Sequence, residues 1–161
     1  GGKLILSEPR SLLTEASKMP GTDGNKMSKS YGNTISLREN PEDVEKKIKT
    51  MPTDPARIKR DDPGDPNNCP VWKFHEIYSD DSIKKWVQNG CSTGTIGCLQ
   101  CKEPIISEIN KELKPIREKA KEYMEDTSSL RTIVAEGCDK ARKIAKETMK
   151  EVREVTGLDY S

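Results

Sequence analysis

From Pro104 on, the apolar residues Ile106, Ile109, Leu113, Ile116, Ala120 and Tyr123 recur in alternating steps of three and four. That spacing puts all six on one face of a 3.6-residue helix, and no strand presents them together. A second stripe follows a start at Ser128 or Ser129: Leu130, Val134, Gly137, Ala141, Ala145, Thr148, Val152 and Val155, with Gly157 placed as a C-terminal stop. Two such stripes joined by a short link predict an antiparallel helical pair within a helical bundle. Pro115 removes a hydrogen bond from the first helix, so a bend is expected near Lys111. Cys138 beside the second stripe reads as a small packing residue. Aromatics make up only 4% of the 161 residues, so a core must come mainly from Leu, Ile, Val and Ala.

Upstream the pattern stays helical but shorter. Asn40 and Pro41 make a cap and first helical position; Glu42 and Asp43 suit the positive end of the helix dipole, and Lys46, Lys47 and Lys49 the negative end near Met51. Thr53 to Asn68, with its prolines, Gly64 and four aspartates, reads as an irregular connector. Arg57, Lys59 and Arg60 cluster in it, either as solvated charge or as contacts to a nucleic-acid backbone. Val71 to Tyr78 reads as a buried helical turn, with Trp72 and Phe74 in the core and Trp72, His75 and Tyr78 near a base-stacking surface. Asp80-Asp81-Ser82 caps a short helix through Val87, ended by Asn89-Gly90. At the start, Gly1 to Leu6 reads as a short strand and Ser11 to Ala16 as a turn or two of helix.

Between these lies a loop of another kind. Pro20 to Asn33 carries three glycines, two lysines and two serines. Gly21 and Gly24 open backbone angles closed to other residues. Lys26 and Lys29 are mobile point charges, and Ser28, Ser30 and loop N–H groups are donors, a set suited to a polyanion such as triphosphate.

The run Lys26-Met27-Ser28-Lys29-Ser30 resembles the second ATP-binding motif of class I aminoacyl-tRNA synthetases. Its flanks, Pro-Gly-x-Asp-Gly-x before and Tyr-Gly-Asn after, resemble the tryptophanyl/tyrosyl branch. The resemblance implies that Lys26, Met27, Ser28, Lys29 and Ser30 hold the pyrophosphate end of ATP, with its Mg2+, while an amino acid carboxylate attacks the α-phosphate. Lys26 and Lys29 would be catalytic, Lys29 following charge onto the leaving group. Two unit charges ~4 Å apart interact by roughly 4 kcal/mol at an effective dielectric of 20. A contribution on the order of 10³-fold in rate is therefore reasonable for one lysine.

Four of the five cysteines, Cys69, Cys91, Cys98 and Cys101, make C-x21-C-x6-C-x2-C, the last three in a glycine-rich turn from Gly90 to Lys102. An odd count in an intracellular-looking chain points to metal rather than disulfides. Four thiolates suit Zn2+ and an iron–sulfur cluster alike. The pattern resembles the four-cysteine insert of a subset of bacterial tryptophanyl-tRNA synthetases, which carries a [4Fe–4S] cluster in the anticodon-binding domain. The first interval here is one residue shorter.

The resemblance therefore implies a mainly α chain: residues 1–35 as the C-terminal remnant of a Rossmann-like α/β catalytic domain with its loop, and residues 36–161 as a helical anticodon-binding domain with the metal site. The only histidine, His75, lies in no nucleotide-binding signature, so the chain is expected to be the C-terminal part of a larger enzyme and inactive alone. The implied whole is a ligase that activates tryptophan with ATP and charges tRNA(Trp), cytoplasmic and homodimeric. A tyrosyl-type enzyme with a zinc site, or a non-catalytic tRNA-binding module, are the other readings. Net charge is +1, so tRNA affinity must come from a local patch, with Arg57, Lys59, Arg60 and Lys102 the candidates. No apolar run approaches the ~18 residues of a membrane span.

Overall fold

The structure is a computed structural model and describes residues 4–14 and 17–158. Five α-helices account for most of it: α1 (Pro41–Thr50), α2 (Pro70–Tyr78), α3 (Asp81–Ser92), α4 (Cys98–Glu125) and α5 (Thr127–Thr156). The mainly helical expectation is met. Among the described residues there is no strand, only an isolated bridge between Pro20 and Lys26. Leu4 and Leu6 are exposed and lie in no strand, because a strand needs a neighbour to pair with. Gly1 to Lys3 lie outside the described residues. Ser11 to Thr14 are not helical, and Glu15 and Ala16 lie outside the described residues.

The chain forms two compact units, Leu13–Ala120 and Gly1–Leu12 with Lys121–Ser161. In the first, α1 starts as its sequence dictates: Asn40 Oδ1 accepts from the Asp43 N–H at 2.9 Å and Pro41 takes the first helical position. Val44 and Ile48, four apart, are buried. They meet Met51, Val71 and Phe74, and Ile105, Ile109 and Leu113 of α4, in one core. Lys47 holds the approach to α1, donating to Thr34 O at 2.8 Å and pairing with Glu39.

Two helices run further than their sequences suggest. α3 continues through Asn89-Gly90 because Gly90 is a packing glycine: a Cβ there would lie 2.7 Å from Ile96 Cγ2. Gly94, at φ +70°, makes the turn instead. α4 begins at Cys98, six residues before Pro104, and passes through Pro104 and Pro115 as one element. Near Pro115 the Arg117 guanidinium donates to Asn110 O at 3.1 Å and to Glu39 O at 2.9 Å, tying α4 to the segment before α1.

In the second unit α5 starts at Thr127, just before the expected Ser128 or Ser129, and ends at Gly157 as expected. Asp126 Oδ1 accepts from the Ser129 N–H, and Gly157 closes the helix at φ +69°. Its apolar face is not covered: no residue of α5 is buried, and Cys138 is exposed rather than packed. An amphipathic stripe forms the helix but does not itself supply the surface that buries it.

Candidate functional site

Two sites lie in the Leu13–Ala120 unit. The first is the loop. Asn33, only 3% exposed, holds it by its amide: Nδ2 donates to Asp23 Oδ1 at 2.8 Å and to Lys26 O at 3.0 Å, while Oδ1 accepts from the Ser28 N–H at 2.8 Å. The Asn33 hydrogen bond lowers the Asp23 pKa. Gly21 is required here because a Cβ would lie 2.2 Å from Asn33 Nδ2. Gly24 turns the chain at φ +83°. Met27 points down onto the core, Ser28 and Ser30 hydroxyls meet at 2.8 Å, and Lys29–Tyr31 form a 3-10 turn. Lys26 and Lys29 stay exposed, with no side-chain partner among the described residues. The result is a fixed backbone presenting two unneutralised ammonium groups. Sequence reasoning gave no role to Asn33; a buried asparagine closing a glycine-rich loop has no signal beyond its position.

The second site gathers the four predicted cysteines. Cys69 precedes α2, Cys91 ends α3, and Cys98 and Cys101 stand on the first turn of α4. The last pair is thus helical rather than in a turn, three residues apart on one face at the positive end of the helix dipole. All four line one cavity of about 20 Å³ together with Thr53, Asp54, Arg57 and Val71. Gly64 gives Cys91 room, since a Cβ there would lie 2.8 Å from its Sγ. Burial, then mutual repulsion with the other cysteines, pushes the Cys101 thiol up to about 12; burial also raises Cys69 and Cys91, the latter offset by Arg57. Such thiols hold their protons unless a cation is bound among them. Among the described residues no three Cys, His, Asp or Glu side chains close on a single point as one bound ion needs. The donor set itself, four soft sulfurs around one space, fits a thiolate-bound metal group.

Two of the four candidate basic side chains, Arg57 and Lys102, sit differently from expectation. Arg57 turns inward: its guanidinium reaches Cys91 Sγ at 3.9 Å, donates to Ile96 O at 2.6 Å and to Arg60 O, and leaves a buried Nε without a partner. Lys102, 2% exposed, donates to Lys49 O at 2.8 Å and Met51 O at 2.7 Å, so its ammonium closes the C-terminal end of α1 and is not placed to meet a phosphate. Burial lowers its pKa. Lys59 and Arg60 remain exposed beside an open cleft lined also by Ile58, Leu99, Gln100 and Glu103.

His75 does not belong to a stacking surface either. It is fully buried, as are Trp72 and Phe74 nearly so, and Tyr78 is half-buried. Its Nε2 lies 3.3 Å from Cys101 Sγ and its Nδ1 2.7 Å from Ser79 Oγ. Burial drives its pKa down to about 4, so the imidazole is neutral near pH 7.

With this geometry in view, a family model described as tRNA synthetases class I (W and Y) matches residues 1–114. The chain belongs to that family. It is 60% identical over 159 residues to a tryptophan–tRNA ligase of Ralstonia nicotianae, covering 99% of this chain and 40% of that protein. It is 44% identical over 157 residues to the corresponding ligase of Thermotoga maritima, covering 97% and 48%. A crystal structure of tryptophanyl-tRNA synthetase from Campylobacter jejuni complexed with ADP and tryptophan superposes with a TM-score of 0.75 at 35% identity, covering 95% of this chain and 48% of that one. This synthetase-family chain thus spans about half the length, or less, of the curated relatives it matches.

Proposed function

We propose that the chain is the C-terminal part of a tryptophan–tRNA ligase, which forms tryptophanyl-adenylate from tryptophan and ATP and passes tryptophan to tRNA(Trp). The observation that carries the reading is the loop: Lys26 and Lys29 stand unpaired on a backbone clamped by Asn33. Their charge is available to the triphosphate with its Mg2+, and Lys29 gains most as negative charge moves onto pyrophosphate. Residues 1–35 then serve the catalytic domain and residues 36–161 the anticodon-binding domain of a cytoplasmic homodimer.

Cys69, Cys91, Cys98 and Cys101 would hold a [4Fe–4S] cluster, with Zn2+ as the outcome that replaces it. Such a group supplies a multivalent cationic anchor that keeps the four thiols deprotonated. Arg57 and Cys98 line the open cleft beside that group, and Lys59 and Arg60 offer the phosphate contacts for tRNA. The apolar side chains Ile58 (87% exposed) and Leu99 (60% exposed) beside those charges suit an unpaired base.

The test joins the chain to the other half of its ligase. Lys29→Ala should slow tryptophan-dependent pyrophosphate exchange by on the order of 10³-fold with little change in tryptophan affinity. Exchange within threefold of the parent refutes the role of Lys29.

A further inference from the structure

His75 occupies a position that the helix would ordinarily give to a hydrophobic residue. On α2 the inward face runs Val71, Trp72, Phe74, His75 and Tyr78, and His75 is among its most deeply buried members at 0% exposure. An imidazole in such a place is costly unless both nitrogens find partners. Here both do. Nε2 faces the Cys101 sulfur at 3.3 Å, and Nδ1 faces the hydroxyl of Ser79, itself 6% exposed, at 2.7 Å. Ser79 is fixed in turn, because its own N–H donates to His75 O at 3.1 Å.

The two contacts determine each other. A metal-bound thiolate has no proton and can only accept, so Nε2 must carry the hydrogen that faces it. Nδ1 is then a bare acceptor, and the one group in reach that can donate to it is the Ser79 hydroxyl. A serine suits this place because its O–H rotates to donate. We propose that His75, set in its Nε2–H tautomer by Ser79, is a positioning residue that holds the Cys101 sulfur and sets the retention and redox behaviour of the metal group bound by the four cysteines. The inference rests on the metal reading given above. It follows the general rule that outer hydrogen bonds orient a ligating atom and tune the metal it binds. Of the other sulfurs, Cys69 meets backbone groups of Val71, Asp54 and Trp72, and Cys91 meets Arg57 at the longer distance of 3.9 Å. Cys101 is the sulfur that meets a neutral side-chain donor, an imidazole buried on α2.

The experiment purifies the full chain without oxygen and measures iron and zinc per chain, the rate of metal loss to excess EDTA, and, where iron is present, the reduction potential. The variants are His75→Leu, His75→Gln and Ser79→Ala, with tryptophan fluorescence as the check on folding. The parent should hold metal. His75→Leu, which keeps all four thiols but removes the N–H, should lose it roughly tenfold faster, and an iron-bearing site should shift to a more negative potential. His75→Gln, whose amide N–H can reach the same sulfur, should restore most of the retention. Ser79→Ala should fall between parent and His75→Leu. Should His75→Leu fail to fold, Ser79→Ala decides: metal loss about threefold faster supports the proposal, and parental retention refutes it. A parent without iron or zinc refutes the metal reading and this inference with it. A metal-bearing parent matched by His75→Leu in both rate and potential refutes this inference alone.

Discussion

Replacing Lys102 by methionine separates a structural role from a nucleic-acid contact. The side chain is 2% exposed, and its ammonium donates to the carbonyls of Lys49 and Met51 at 2.8 and 2.7 Å. Both carbonyls lie at the end of α1, where a helix leaves its last C=O groups unpaired and its dipole is negative. A hydrogen bond from a charged donor contributes about 1.5–3 kcal/mol net, so the pair contributes about 3–6 kcal/mol. Methionine keeps the length and escapes the several kcal/mol cost of burying an ammonium. It leaves two carbonyls unsatisfied, however, at about 1–3 kcal/mol each. The balance is a loss of about 2–4 kcal/mol. With a urea slope of about 2 kcal/mol/M for a small protein, the unfolding midpoint should fall by about 1–2 M. Tryptophan fluorescence reads this directly, because Trp72 and Trp86 both lie in the Leu13–Ala120 unit. The salt dependence of tRNA binding by the complete ligase should not change. A midpoint within about 0.3 M of the parent, or a salt slope lower by the ~0.7–0.9 that marks one phosphate contact, refutes the argument.

Three further outcomes follow from single sites. Asn33→Ala removes three hydrogen bonds from a buried amide; the loop from Gly21 to Gly32 should exchange its Ser28 amide hydrogen faster, while the unfolding free energy of the core falls by only about 1–2 kcal/mol. Gly94→Ala should cost at least about 1–2 kcal/mol, because φ is +70° and the new Cβ would lie 2.3 Å from Asp61 O, whereas Gly137→Ala in α5 meets no atom and should raise helix stability by up to about 1 kcal/mol, as thermal unfolding of the two variants will show. His75 binds its proton less readily folded than unfolded, its pKa falling from 6.5 to about 4, so in the metal-free chain stability present above pH 6.5 is lost as pH falls toward 4, by about 3 kcal/mol; His75→Gln should flatten that part of the urea-midpoint profile.

Where local chemistry decided the outcome, the sequence was enough. Asn40-Pro41 starts α1 and Gly157 ends α5 because caps and left-handed turns are set by the residues that occupy them. The four cysteines were singled out by their spacing and by the resemblance, and all four line one cavity. Burial was less legible. Lys102 read as a surface cation because lysine is seldom buried; only the open carbonyls at the end of α1, set by long-range packing, account for its place. Arg57 shares a basic run with Lys59 and Arg60, yet its inward turn depends on Cys91 and on Ile96 O, more than thirty residues away. The helix starting at Cys98 was missed because Pro104 mimics a first helical position, and Gly90 read as a stop because its packing against Ile96 leaves no mark in the local sequence.

The loop and the cysteine cavity are joined by the core rather than by a shared surface. Met27, in the middle of the lysine-bearing run, and Cys69, at the edge of the cavity, pack against the same cluster of Val44, Ile48, Met51, Val71, Phe74, Ile105, Ile109 and Leu113. Lys102 ties the end of α1 to the first turn of α4, and that turn carries Cys98 and Cys101. The apolar cluster therefore fixes the height at which the two loop lysines emerge, while polar clamps, Asn33 at one site and the His75–Ser79 pair at the other, set local geometry. This division explains why the functional side chains are simple to name and their supports are not. Lysines and thiols announce their chemistry by type. An asparagine, a histidine and a serine acquire theirs only from where the core places them.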